Sequence, residues 1–272
     1  MSACWVVTKR ITGADMVAVV LDAGRAKVSH FHVWMAAACA LVAFGGFAPT
    51  YWFQLPAGTF VGPLLLHVHG ALFFTWTLLL LSQALLAANG RIDHHRAWGL
   101  AGISLATGMV VIGLAAAIVT LSTGLAAGYG DRSRAFLVLP VSGIALFGGF
   151  VIAAVANVRR PEAHQRLMLL ATISLLQAAM ARVFFVLVTG GGPGLRPGLG
   201  PPPPLAIGLV PSLLVELLIV AGIVYDWRTR GRPHPVWLAG AAVMTAVTLL
   251  RGPLSGTHGW LAFADRLAHI AG

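Results

Sequence analysis

The run Gly62–Ala88, GPLLLHVHGALFFTWTLLLLSQALLAA, decides the fold class. It holds no Asp, Glu, Lys or Arg. As a helix rising 1.5 Å per residue it reaches about 40 Å, enough to cross a hydrocarbon layer about 30 Å thick. A helix apolar on every face belongs either in the core of a large protein or in lipid, and the composition selects lipid. Of 272 residues, 58% are apolar and 10% charged, where a soluble domain carries about 25% charge. So few charges cannot cover the surface of a water-soluble globule of this length. Soluble and disordered classes are excluded, and an all-α, polytopic membrane bundle is expected.

Six further stretches match the first, so seven spans are expected: Val33–Tyr51, Gly62–Ala88, Trp98–Leu121, Ala135–Asn157, Leu167–Val188, Leu205–Tyr225 and Val236–Leu250. Turn chemistry separates them: Asn89-Gly90, Arg159-Arg160-Pro161, and the Gly/Pro run Gly190–Pro204. The seventh is the shortest, because Pro235 and Arg251 bracket it closely. Residues 1–30 read as a cytoplasmic leader rather than a signal peptide, since the apolar run Met16–Leu21 is too short for one. Residues 31–250 form the bundle and 251–272 a short tail. Of the 18 Lys and Arg, twelve fall on the side of the N-terminus and five on the other, so the positive-inside rule puts the N-terminus in the cytoplasm and the chain in a cell inner membrane. The net charge of +10 then reflects topology and anionic lipid, not nucleic acid.

Small residues four apart, Ser104/Gly108 with Gly113/Ala117 and Ala145/Gly149/Ala153, mark expected helix contacts. Cys4 and Cys39 form no metal-binding or disulfide pattern.

Polar residues within or beside the spans carry what chemistry is legible, because each is costly in lipid. Arg182 and Glu216, on the fifth and sixth spans, are expected to lie within reach of each other. His69, Trp76 and Gln83 recur at intervals of seven and share one face of the second span, whereas His67 points elsewhere. With Arg182 and Glu216, His69 and Gln83 form a candidate intramembrane polar cluster. At the cytoplasmic rim, His30 and His32 precede the first span, His94 and His95 open the third, and His164 opens the fifth. All three spans run in the same direction, which places these histidines at one level. Neutral imidazoles from different helices ligate transition metals and haem iron. His32, His94, His95 and His164 are therefore candidate cofactor ligands, with His95 and His164 foremost. The competing reading is that rim histidines face lipid headgroups. His164 and Arg182 are eighteen residues apart, five helical turns. On a straight helix Ala171 and Ala178 would leave room along the stripe between them.

The segments HHRAWG (residues 94–99) and HQRLMLLATISLL (residues 164–176) resemble motifs of a group of uncharacterised bacterial multi-pass membrane proteins. The pattern takes in His69, Trp76, Gln83, His95, Arg96, Gly99, His164, Arg166 and Arg182. It implies a membrane bundle and no specific activity. A more distant likeness to small b-type cytochrome bundles and oxidase-assembly membrane proteins implies haem.

Several chemistries are absent. Lysine occurs only at Lys9 and Lys27, which excludes a retinal Schiff base in the last span. There is no phosphate-binding G-x-x-x-x-G-K-[ST], no G-x-S-x-G and no C-x-x-C-H, and no catalytic residue is assigned. Three expectations follow. The first is a redox-associated protein holding haem b or a transition metal. The second is a small-molecule or proton-coupled transporter using His69, Arg182 and Glu216. The third is an accessory or assembly subunit whose partners, besides the lipid bilayer, are other membrane proteins.

Overall fold

The computed structural model describes residues 30–189 and 201–271. The expected leader and most of the Gly190–Pro204 loop lie outside the described residues. Within them the chain is helical and contains no strand.

Seven segments are long and apolar enough to span a membrane. Helix α1 (Phe31–Phe47) continues into a π-helical turn, Ala48–Trp52, and is followed by α2 (Leu64–Ala88) and α3 (Ile92–Ala126). The fourth span joins a short α4 (Asp131–Phe136) to α5 (Val138–Ala156), and the fifth joins α6 (Pro161–Leu175) to α7 (Gln177–Thr189). Then come a 3-10 turn (Leu205–Gly208), α8 (Leu209–Arg230), α9 (Pro235–Ser255) and α10 (His258–Ala271). Local chemistry sets the ends. Pro161 and Pro235 stand in the first turns of α6 and α9, where the missing N–H has no partner to lose. Gly231 ends α8 at φ +74°, a left-handed cap.

Helix α6 is the axis of the bundle. Nine of its fifteen residues are buried, and its span is the most buried of the seven. On one side Ala171 meets Trp76, Met109 and Phe147. On the other, Leu170 and Ile173 join Met35, Cys39, Val215, Ile219 and Trp237. Leu41, Leu64, Leu100, Ile152 and Leu187 point outward, each at least 70% exposed, the surface that lipid requires. Trp34, Trp98 and Trp227 are also exposed, all near the arginine-rich end, where an aromatic belt belongs.

Four expectations change. The seventh span is complete: α9 runs on through Arg251 to Ser255, and Arg251 is buried rather than free in the tail. The tail itself folds as α10, packing Ala264 against Ala117, Leu121 and Leu137. Ser104, Ala145 and Gly149 face outward. The expected Gly113 and Ala117 are buried on α3, joined there by Gly102 and Ala106, while on α5 the buried small residues are Gly143 and Ala154, so the packed stripe is partly rotated from the spacing read in the sequence. The fifth span is not straight either. It breaks between Leu175 and Gln177, and Ala171 is packed under large side chains, so no open stripe joins His164 to Arg182.

A histidine pair at the arginine-rich end

His95 and His164 meet. Their ring centres are 6.4 Å apart with planes at 87°. Each is the fourth residue of its helix, α3 and α6, and each reaches back to the helix before it. His95 Nδ1 donates to the Gln83 carbonyl at 3.3 Å, and His164 Nδ1 to the Ala154 carbonyl at 2.9 Å. A carbonyl only accepts, so both bonds put the ring proton on Nδ1 and leave Nε2 as a lone-pair donor. This is the bond that orients and strengthens a metal-ligating imidazole. The Ala154 carbonyl lies in the last turn of α5, at the negative end of its dipole, and the Gln83 carbonyl lies one turn further from the end of α2.

The two histidines sit on the same supersecondary unit, used twice. Asn89 and Asn157 follow α2 and α5, and each donates its side-chain amide to the carbonyl four residues earlier, at 2.8 and 2.9 Å. Arginines follow, then an acidic residue in the next helix's first turn (Asp93, Glu162), then the histidine, then an arginine (Arg96, Arg166). The recurrence of Asn…Arg…His…Arg at both arginine-rich turns is a signal legible in the sequence for pairing His95 with His164. His94, beside His95, has no counterpart in the second turn, where Ala163 precedes His164.

The other rim histidines are not brought to this pair. His30 and His94 are exposed. His32 lies within Coulombic reach of Arg166 and Asp226, its Nε2 buried with no hydrogen-bond partner among the described residues. Arg166 and Asp226 form an ion pair that sequence reasoning missed. Arg166 Nε and Nη2 donate to the two carboxylate oxygens at 2.9 and 2.5 Å, with both side chains buried. Sixty residues of chain separate them. Asp226 also accepts the backbone N–H of His234 at 3.2 Å, tying α6, α8 and the start of α9 together. His234 in turn caps α9, its Nδ1 accepting the Val236 N–H at 3.2 Å. Burial, with Arg166 and Arg230 nearby, holds His234 below its usual pKa of 6.5, against smaller opposite effects of Asp226 and Glu162.

The expected Arg182–Glu216 contact is not formed. Glu216 accepts from Thr245 at 2.5 Å and Thr248 at 3.4 Å, both on α9. Arg182 lies over the Phe47 ring, 4.2 Å from its centre. The charged group within Coulombic reach of Glu216 is Arg251, which donates to Gln177 and, at 2.8 Å, to Ser142. His69 stacks on Phe73 at 4.1 Å, while His67 meets Tyr51 Oη at 3.0 Å. Trp76 donates to Thr172 at 3.0 Å. Gln83 is buried with its side-chain amide unpartnered among the described residues. Gln83 and Glu216 thus stand apart from the expected cluster, while His69 lies within Coulombic reach of Arg182.

Comparison with known proteins gives no match among family models, curated proteins or solved structures.

Proposed function

We propose that this multi-pass membrane protein is a redox protein that binds haem b between His95 and His164. The observation that carries the reading is the paired imidazoles, both held by Nδ1, which leaves each Nε2 as the lone-pair atom. The ring centres lie 6.4 Å apart, and two imidazoles from different helices at this level would serve one metal, as histidines do for haem iron. Among the described residues no group of three or more His, Cys, Asp or Glu is gathered. A bare transition metal usually takes more protein ligands than two, whereas a porphyrin brings four nitrogens of its own and would need only His95 and His164 from the chain. The ligand count therefore favours haem. The setting, in a cell inner membrane with this pair at the cytoplasmic side, follows from the distribution of arginines. His32 and His94 are not assigned as ligands.

The test is an absorption spectrum, with metal analysis, of the chain purified in detergent. A Soret band that sharpens on reduction is expected, lost in His95→Ala and in His164→Ala and kept in His94→Ala. A folded preparation without colour would overturn the reading, as would a band indifferent to both substitutions.

A further inference from the structure

A second site lies at the opposite end of the bundle and does not depend on the haem. Arg182 stands on α7, seven residues before Thr189, about 10 Å of helix below its end. Its guanidinium is stacked on Phe47 and donates from Nη1 to the Ala178 carbonyl at 2.8 Å. No carboxylate pairs with it among the described residues. A guanidinium has five N–H donors, and a cation within a span is costly unless its donors find partners; one of the five is met by Ala178.

Three further polar atoms in this region are buried without a hydrogen-bond partner among the described residues: Thr50 Oγ1, Trp52 Nε1 and His69 Nδ1. Thr50 is 4% exposed. Thr50 and Trp52 belong to the π-helical turn that begins directly after Phe47, and such turns recur at functional sites because they re-aim side chains. Aromatic rings join the parts: Phe47 meets Phe74 at 5.5 Å, and Trp52 meets Phe74 at 4.6 Å and Phe44 at 5.5 Å. His69 lies within Coulombic reach of Arg182. Trp52 and Arg182 are pure donors, and Thr50 is a donor when it faces an acceptor. Buried polar groups are normally satisfied, so several orphans around one unpaired cation describe the outline of a missing acceptor.

We infer that Thr50, Trp52, His69 and Arg182 form a binding site for an oxyanion, a phosphate or carboxylate group, under the π-helical end of α1. The charge comes from Arg182, directional hydrogen bonds from Trp52 and Thr50, and the walls from Phe44, Phe47 and Phe74. The group reaches the site either on a lipid of the adjacent leaflet or as a free anion.

The test measures melting of the full chain in neutral detergent against three probes: inorganic phosphate, short-chain phosphatidylglycerol and short-chain phosphatidylcholine. A saturable rise in melting temperature with phosphatidylglycerol alone identifies a lipid source, and a rise with inorganic phosphate as well identifies a free anion. Phosphatidylcholine, without net charge, is expected to act weakly. Arg182→Gln should weaken the effective probe about tenfold or more, as expected for a lost charged hydrogen bond. Thr50→Val and Trp52→Phe should weaken it several-fold, and Arg182→Lys should restore part of the loss. Without ligand, Arg182→Gln is expected to melt no lower than the parent protein. If no probe shifts the parent protein, or if the shift survives Arg182→Gln, the site does not exist. Should Arg182→Gln fail to fold, unchanged affinity in both Thr50→Val and Trp52→Phe overturns it equally.

Discussion

Replacing Asp226 by Asn leaves the Arg166 guanidinium buried beside a neutral amide. Breaking a buried ion pair from one side costs about 3–5 kcal/mol, because the remaining charge is uncompensated. Arg166→Ala should be comparably harmful. The pair Arg166→Met with Asp226→Leu removes both charges and should recover most of the loss, less the His234 N–H contact to Asp226. Melting temperature in detergent, read for the two singles and the double, checks this. His234 adds a pH dependence. Its folded-state pKa lies below 6.5, so as pH falls through 6.5 the unfolded chain takes up a proton that the folded chain refuses. Stability is fully present above that pH and declines on acidification down to the folded value. His234→Asn, which keeps a capping acceptor, should flatten the decline between pH 7.5 and 5. An unchanged slope would remove His234 from the account.

Helix contacts here are set by backbone approach as much as by side chains. A Cβ on Gly46 would lie 2.4 Å from the Ala179 carbonyl oxygen, so α1 and α7 touch backbone to backbone. Nothing stands within 4 Å of a Cβ on the neighbouring Gly45. Gly46→Ala should therefore destabilise by about 1–3 kcal/mol through overpacking. Gly45→Ala should be neutral, or stabilising by about 0.5–1 kcal/mol from helix propensity. Paired thermal melts separate the two. The composition of α1 announces neither role, since Gly45 and Gly46 are adjacent and differ only in which side of the helix each occupies. The same limit applies to Ser104 and Gly149. Their four-residue spacing was visible, but their rotation away from the bundle depends on which neighbour each helix found.

At the scale of the whole molecule, the repeated turn is the feature with the widest reach. Two hairpins, α2–α3 and α5–α6, deliver one histidine each from the same position in the same unit. If the pair acts together, His95→Ala and His164→Ala should have equal effects on any bound chromophore, and the double variant should add nothing. Unequal effects would mean that the two positions serve different ends. Chain order alone could not reveal the pairing of Arg166 with Asp226, or the parting of Arg182 from Glu216. Each depends on how α6 to α9 rotate about their own axes, and hydropathy carries no phase for a helix apolar on all sides.

The number of spans and the end of the bundle at which each rim histidine stands were determined by the chain itself. Lipid offers the backbone no hydrogen bonds, so every long apolar run must close its own as a helix, and arginines anchor its ends. Which imidazole faces which, and where Arg182 is left without a carboxylate, were decided only by packing. Close approach at Gly46, Gly113 and Gly143 and the break before Gln177 set the rotation of each helix, and a shift of a third of a turn would exchange every partner.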